Sequence, residues 1–155
     1  MAFYQLKREQ LIQCSLDELW SFIASPANLK KITPPHMGFD IVSGTLPDKM
    51  YEGMIIEYRV RPLLGIPTTW VTEISHVIER QYFVDEQRIG PYKMWHHQHI
   101  LVPQTTGILM KDIISYQPPF GFLGTMANTL IIRGQLRKIF DFRNQALEKI
   151  FPPNP

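Results

Sequence analysis

Six segments between residues 38 and 117 alternate apolar and polar side chains, and one long segment with helical spacing follows them. That order constrains the fold more than any other feature of the chain. The alternating segments cover residues 38–43, 54–60, 68–77, 81–88, 94–102 and 108–117. A period of two, with Gly, Pro or Asp between most segments, reads as strands joined in an antiparallel meander. The last segment, about residues 125–150, places Ile132, Leu136, Ile139, Phe140, Leu147 and Ile150 at three- and four-residue spacings or their sums. That is one apolar stripe on a helix of about 26 residues, or ~39 Å at the α-helical rise. Ahead of the meander, residues 2–12 are extended in character. Ser15-Leu16-Asp17-Glu18 forms a capping box for a helix carrying Leu19, Trp20 and Ile23. Ser25-Pro26 opens a second short helix, with Ser25 as its cap, that stops before Pro34 and Pro35. The expected class is α+β, with the sheet covering the long helix.

Composition narrows the function classes. A chain of 155 residues suits one domain, expected over residues 1–155. Apolar residues at 45% and charged residues at 19% exclude a disordered tail or a coiled coil. A net charge of +2 is too small to imply nucleic acid by bulk electrostatics. The single cysteine, Cys14, excludes an internal disulfide and a Cys-based zinc site. A reducing, cytoplasmic compartment is therefore expected. No window approaches the ~20 apolar residues of a membrane span, so no integral membrane segment is expected. Phosphate-loop, dinucleotide and Ser/His/Asp signatures are missing, and no cofactor is expected.

Alternation assigns the strand faces. Glu57, Arg59 and Arg61 share one side, which turns Met54, Ile56, Tyr58 and Val60 inward. On the next strand Trp70, Thr72, Ile74 and His76 are expected inward, then Phe83, Asp85 and Gln87. A turn at Thr105-Thr106 sets His99 opposite Asp112, and a turn around Pro91 sets His97 opposite Asp85. Both pairings put Trp95, His97 and His99 inward, facing Asp112, Ile114 and Tyr116. An inner face so rich in polar groups suits a partly wet pocket better than pure packing.

The run Asp85-Glu86-Gln87-Arg88-Ile89-Gly90-Pro91-Tyr92, followed by Trp95-His96-His97-Gln98-His99, resembles the ligand-binding branch of the SRPBCC superfamily. Further matches are Gly65-Ile66-Pro67 with Trp70, Asp112, Tyr116, Pro119-Phe120-Gly121 and Ile139-Phe140-Asp141-Phe142-Arg143. Leu101 and Phe142 depart from the pattern, where an aromatic and a Tyr are common. The resemblance covers nearly the whole chain. It implies a START-like helix-grip fold, with an antiparallel sheet of about seven strands curved around the long C-terminal helix. It also implies a hydrophobic cavity between them for a lipid-, steroid- or polyketide-like ligand.

The expected ligand contacts are Tyr58, Trp70, Phe83, Gln87, Trp95, His97, His99, Tyr116, Leu136, Phe140 and Arg143. Asp85, Asp112, His97 and His99 are the candidates for acid–base chemistry, as in a cyclase, dehydratase or hydrolase. The structural reading of the same four is a buried ladder in which carboxylates orient imidazoles. No metal is expected, because an H-x-H pair supplies two ligands where a catalytic zinc wants three. Arg143 is either an anion anchor or the partner of an inward aspartate. Residues 118–124 read as a lid or as a rigid connection. With Leu63-Leu64-Gly65-Ile66 they also leave room for contact with a membrane surface or a protein partner.

Overall fold

The computed structural model describes residues 3–62 and 65–153. Ala2, Leu63 and Leu64, which enter the readings above, lie outside the described residues. The chain runs β1 (Tyr4–Ile12), α1 (Leu16–Ile23), two 3-10 turns (Pro26–Ile32 and Pro35–Met37), and β2 (Asp40–Ile41). It continues with β3 (Ile55–Val60), β4 (Thr68–Ile78), β5 (Tyr82–Ile89), β6 (Met94–Gln104) and β7 (Gly107–Gln117). The seven strands form one antiparallel sheet in the order β1-β7-β6-β5-β4-β3-β2. Consecutive strands β2 to β7 are neighbours, as the meander requires. β1 pairs with β7, so α1 and the 3-10 turns carry the chain from one edge of the sheet to the other.

Local chemistry explains how these elements start. The Ser15 hydroxyl accepts from Glu18 N–H at 3.2 Å, and Glu18 Oε2 accepts from Ser15 N–H at 2.9 Å. Two of the donors a helix leaves unpaired are thereby satisfied. Ser25 holds the cap position of the following turn, but its hydroxyl makes no capping bond; Pro26 at the first position fixes the entry. The β6–β7 hairpin closes between Gln104 and Gly107. Gly107 has φ +151°, and a Cβ there would come within 2.3 Å of Ile12 O. The turn therefore needs glycine so that the end of β1 can lie against it.

The expected faces hold for Met54, Ile56, Tyr58, Val60, Thr72, Ile74, Phe83, Trp95, His97, His99, Asp112 and Ile114, which all lie buried. His76 does not follow, because it is exposed. A register shift between Ile74 and His76 inserts one residue. One inserted residue reverses the alternation, so Val77 rather than His76 packs on the core.

The long helix begins at Gly121, four residues earlier than its apolar stripe suggests. It comprises α2 (Gly121–Ala127), a π turn (Asn128–Ile132) and α3 (Arg133–Ile150). At the π turn, Asn128 is buried and its Oδ1 accepts from Tyr116 O–H at 2.8 Å. Ile132, Leu136, Phe140 and Leu147 form the buried stripe, and Arg143 occupies the position between the last two. Ile150, placed on that stripe by spacing, is 37% exposed. Leu147 packs with Leu19, Trp20 and Met110 at one end of the core. Leu136 and Phe140 pack with Tyr92, Trp95 and Ile114 at the other.

Candidate functional site

Between the sheet's concave face, α3 and the first 3-10 turn lies a cavity of about 170 Å³. Its apolar walls come from alternate residues of neighbouring strands, which the pleat points the same way. Tyr58 (β3), Trp70 (β4), Phe83 (β5) and Trp95 (β6) face Leu136 and Phe140 of α3 across it. Trp70 meets Trp95 edge-on, with ring centroids 5.2 Å apart. Phe22, Leu29 and Ile32 close a third side. The sequence reading did not include these three. Only the path of the chain across the sheet brings them to the cavity.

One wall is polar. Asp85, His97, His99 and Arg143 all line it, and Asp112 lies behind them. The register is the expected one, with Asp85 opposite His97 and His99 opposite Asp112. The shortest contacts are nevertheless diagonal. His97 Nε2 lies 2.8 Å from Asp112 Oδ1, and His99 Nε2 lies 2.7 Å from Asp85 Oδ2. Imidazoles lean along the strand, so each reaches the carboxylate diagonal to it rather than the one alongside. The two rings lie tilted against each other with centroids 3.7 Å apart, and Phe83 stacks on His99 at 4.0 Å.

Arg143 reaches down from α3 with Nη2 3.1 Å from His99 Nδ1 and 3.6 Å from Asp112 Oδ1. Its Nε is buried and, among the described residues, has no hydrogen-bond partner. Burial, and then the neighbouring His99, hold the His97 imidazole down at about 4, so it is neutral at neutral pH. Burial alone would raise both carboxyls. The surrounding His97, His99 and Arg143 outweigh it at Asp85, and Arg143 with the two imidazoles outweighs it at Asp112. Asp85 therefore lies below the ordinary carboxylate range and Asp112 well below it. Burial, followed by the Asp85 charge, pushes the Tyr58 phenol up, so it stays protonated.

Two expected contacts lie away from the cavity. The Gln87 amide folds back on its own loop, donating to Tyr92 O at 2.7 Å and accepting from Tyr92 N–H at 3.2 Å. A Cβ at Gly90 would fall 2.3 Å from that amide oxygen, so the loop's glycine makes the arrangement possible. Tyr116 spends its hydroxyl on Asn128 and stacks on Tyr4 at 5.7 Å. Tyr92, which the alternation did not place, lines the cavity instead. Residues 118–124 contribute nothing to the lining. Phe120, Phe122 and Leu123 point to solvent at 82%, 76% and 68% exposure. Gly124 approaches Pro119 O so closely that a Cβ would lie 1.9 Å from it, which favours a tight connection over a loose lid. Burial, then the Glu18 charge, raises the Cys14 thiol, as expected of an unreactive cysteine.

No protein-family model and no curated protein matches the sequence. Solved structures do. Major latex-like protein 151 from Panax ginseng superposes with a TM-score of 0.70 at 13% identity, covering 97% of this chain and 99% of its own. A START superfamily protein from Mycobacterium smegmatis gives 0.69 at 11% identity, over 94% of this chain and 98% of its own. A point mutant of norcoclaurine synthase from Thalictrum flavum, in complex with a transition-state analogue, gives 0.65 at 16% identity, over 96% of both chains. No helix among the described residues is long and apolar enough to cross a membrane. A seven-stranded antiparallel sheet curved around a C-terminal helix, shared over nearly the full length of these proteins, gives this chain the START-like helix-grip fold.

Proposed function

We propose that the protein binds a small, largely apolar molecule in the cavity between the sheet and α3. The observation that carries this reading is a largely apolar enclosure whose charged and imidazole groups stand together on one wall. Aromatic and aliphatic area supplies affinity, while His97, His99, Asp85 and Arg143 orient one polar end of the guest. The buried, unpartnered Nε of Arg143 supports an acceptor on that guest. At about 170 Å³ the cavity is close to the ~150 Å³ apolar space that admits a benzene-sized molecule. A guest of one ring fits it as it stands, whereas a steroid or long lipid requires α3 to lift.

The test is a native mass spectrum of the freshly purified protein against a denatured control. A ligand mass present only in the native spectrum supports the reading. A second arm replaces Leu136 with Trp to fill the cavity. A small fluorescent apolar probe should then bind at least tenfold more weakly while the melting temperature stays within a few degrees. Unchanged probe binding in the filled variant would overturn the assignment.

An enzymatic reading has one observation in its favour. His97 is neutral, is oriented by Asp112 and lines the cavity, the arrangement of a general base. The norcoclaurine synthase with its transition-state analogue supports the view that this fold can hold a reacting molecule. Magnitude argues the other way, since a base held at about 4 sits some three units below the pH at which a base works best. Binding is therefore the preferred reading. His97→Gln separates the two: a binder loses affinity modestly, whereas an enzyme loses turnover and keeps binding. A protein partner, if there is one, finds its apolar surface at Phe120, Phe122 and Leu123.

A further inference from the structure

The polar wall gathers two imidazoles, two carboxylates and a guanidinium within contact distance of one another. Asp112 Oδ1 lies 2.8 Å from His97 Nε2 and 3.1 Å from His99 Nδ1. Asp85 Oδ2 lies 3.4 Å from His97 Nδ1 and 2.7 Å from His99 Nε2. All four ring nitrogens of His97 and His99 therefore lie within 3.4 Å of a carboxylate oxygen, and Arg143 Nη2 approaches His99 Nδ1 at 3.1 Å. Two imidazoles and two carboxylates held this closely in a buried wall form a donor set of the kind that binds a cation.

The geometry points to a divalent transition-metal site made of Asp85 Oδ2, His97 Nδ1 and His99 Nε2. These three atoms lie within 4.8 Å of one another and belong to residues that line the cavity. An H-x-H pair on β6 supplies two ligands, and the tertiary structure brings the third from β5. Ligands ~2.0–2.1 Å from a tetrahedral ion are about 3.4 Å apart, the spacing already found between Asp85 and His97. The Asp85–His99 pair must open by roughly 0.6 Å. With Nε2 on the ion, the His99 ring hydrogen sits on Nδ1 and donates to Asp112 at 3.1 Å, and Arg143 Nη2 leaves Nδ1 for the Asp112 carboxylate 3.6 Å away.

Asp112 then accepts from both liganding imidazoles, the outer carboxylate that orients metal-bound histidines. Arg143 Nη2, 3.6 Å from Asp112 Oδ1, balances that charge. Two nitrogens and one oxygen suit zinc or ferrous iron; calcium and magnesium favour all-oxygen sites. Positions left open on the ion face the cavity. Two carboxylates, one guanidinium and a divalent ion leave one net positive charge, which matches an anionic end on the guest. This last step rests on the cavity reading, but the donor set does not.

The probes are Zn²⁺ and Co²⁺ alone, added to the chelator-treated full-length protein. Calorimetry should give one saturating equivalent of Zn²⁺, and Co²⁺ should develop a visible absorption band. Saturable binding should vanish in Asp85→Asn and His99→Gln and weaken ~10–100-fold in Asp112→Asn. It should persist in His96→Gln, whose imidazole pairs with Glu86 away from the cavity. Each variant is first checked for a cooperative melt. X-ray absorption on the zinc-loaded wild type needs no variant and should report two imidazole nitrogens. The proposal is overturned if the wild type takes up no ion, if Asp85→Asn binds as tightly as wild type, or if fewer than two imidazoles ligate. Apolar-probe binding in the same samples separates the two readings. Probe binding without metal uptake removes the metal site alone, and metal uptake without probe binding removes the cavity reading alone.

Discussion

Replacing Arg143 with Met should be among the most destabilising single changes in the chain. Arg143 is 6% exposed and reaches His99 and Asp112 from α3. At 3.6 Å and an effective dielectric of about 20, its attraction to Asp112 is about 5 kcal/mol, against which the cost of burying both groups must be set. Methionine fills the space of the stem but loses the guanidinium that lies 5.8 Å over the Phe140 ring, and it leaves the Asp112 carboxylate buried with only imidazoles beside it. Removing one member of such a pair costs roughly 3–5 kcal/mol. With ~2.1 cal/mol/K of unfolding entropy per residue, a chain of 155 residues should then melt about 9–15 °C lower. The assay is a thermal melt of the chelator-treated protein at pH 7, backed by urea titration. Adding Asp112→Asn should recover part of the loss, because the orphaned charge is gone. The expected coupling is about 1–3 kcal/mol. A fall below ~1 kcal/mol, or a double variant that is simply additive, would refute the claim that the cluster is held together by this charge pair.

Two further expectations follow from the same physics. His97 is held at about 4 by burial and by His99, below its ordinary 6.5, so the unfolded chain takes up a proton there before the folded one does. Stability of the metal-free protein should be full above pH 6.5 and fall as pH drops toward 4, by ~1.4 kcal/mol per unit at most. Asp85 and Asp112 act lower: their contribution is present above the ordinary carboxylate value of 3.8 and is lost below it. A melting temperature that is constant between pH 7 and 5, or His97→Gln showing the same slope as wild type, would count against this assignment. Ser15→Ala removes the hydroxyl that caps α1 and should cost about 0.5–2 kcal/mol in urea unfolding. No measurable change would mean that the packing of Leu19 and Trp20 alone holds the helix.

Much of the site was legible because strands obey a strict period. Register counted from two turns was enough to set His99 beside Asp112 and His97 beside Asp85. The capping box was legible because it is built from four consecutive residues. The misplacements share a cause, which is a local departure from the period. One inserted residue in β4 turned His76 outward. A loop glycine let Gln87 bend back on Tyr92. A π turn brought Asn128 to the hydroxyl of Tyr116. None of these interrupts the hydrophobic pattern enough to be seen in it.

By itself, the sequence determined the order of the elements, their faces and the polar character of one inner wall, since these depend on neighbours along the chain or across one hairpin. Only the tertiary structure decided which nitrogen meets which oxygen, that Asp85 joins the two histidines while Asp112 stands behind them, and that Arg143 closes the group from a helix 44 residues away. It also set the cavity at about 170 Å³. That volume is what remains after α3, the sheet and the first 3-10 turn have packed together, and no local pattern encodes the distance between them.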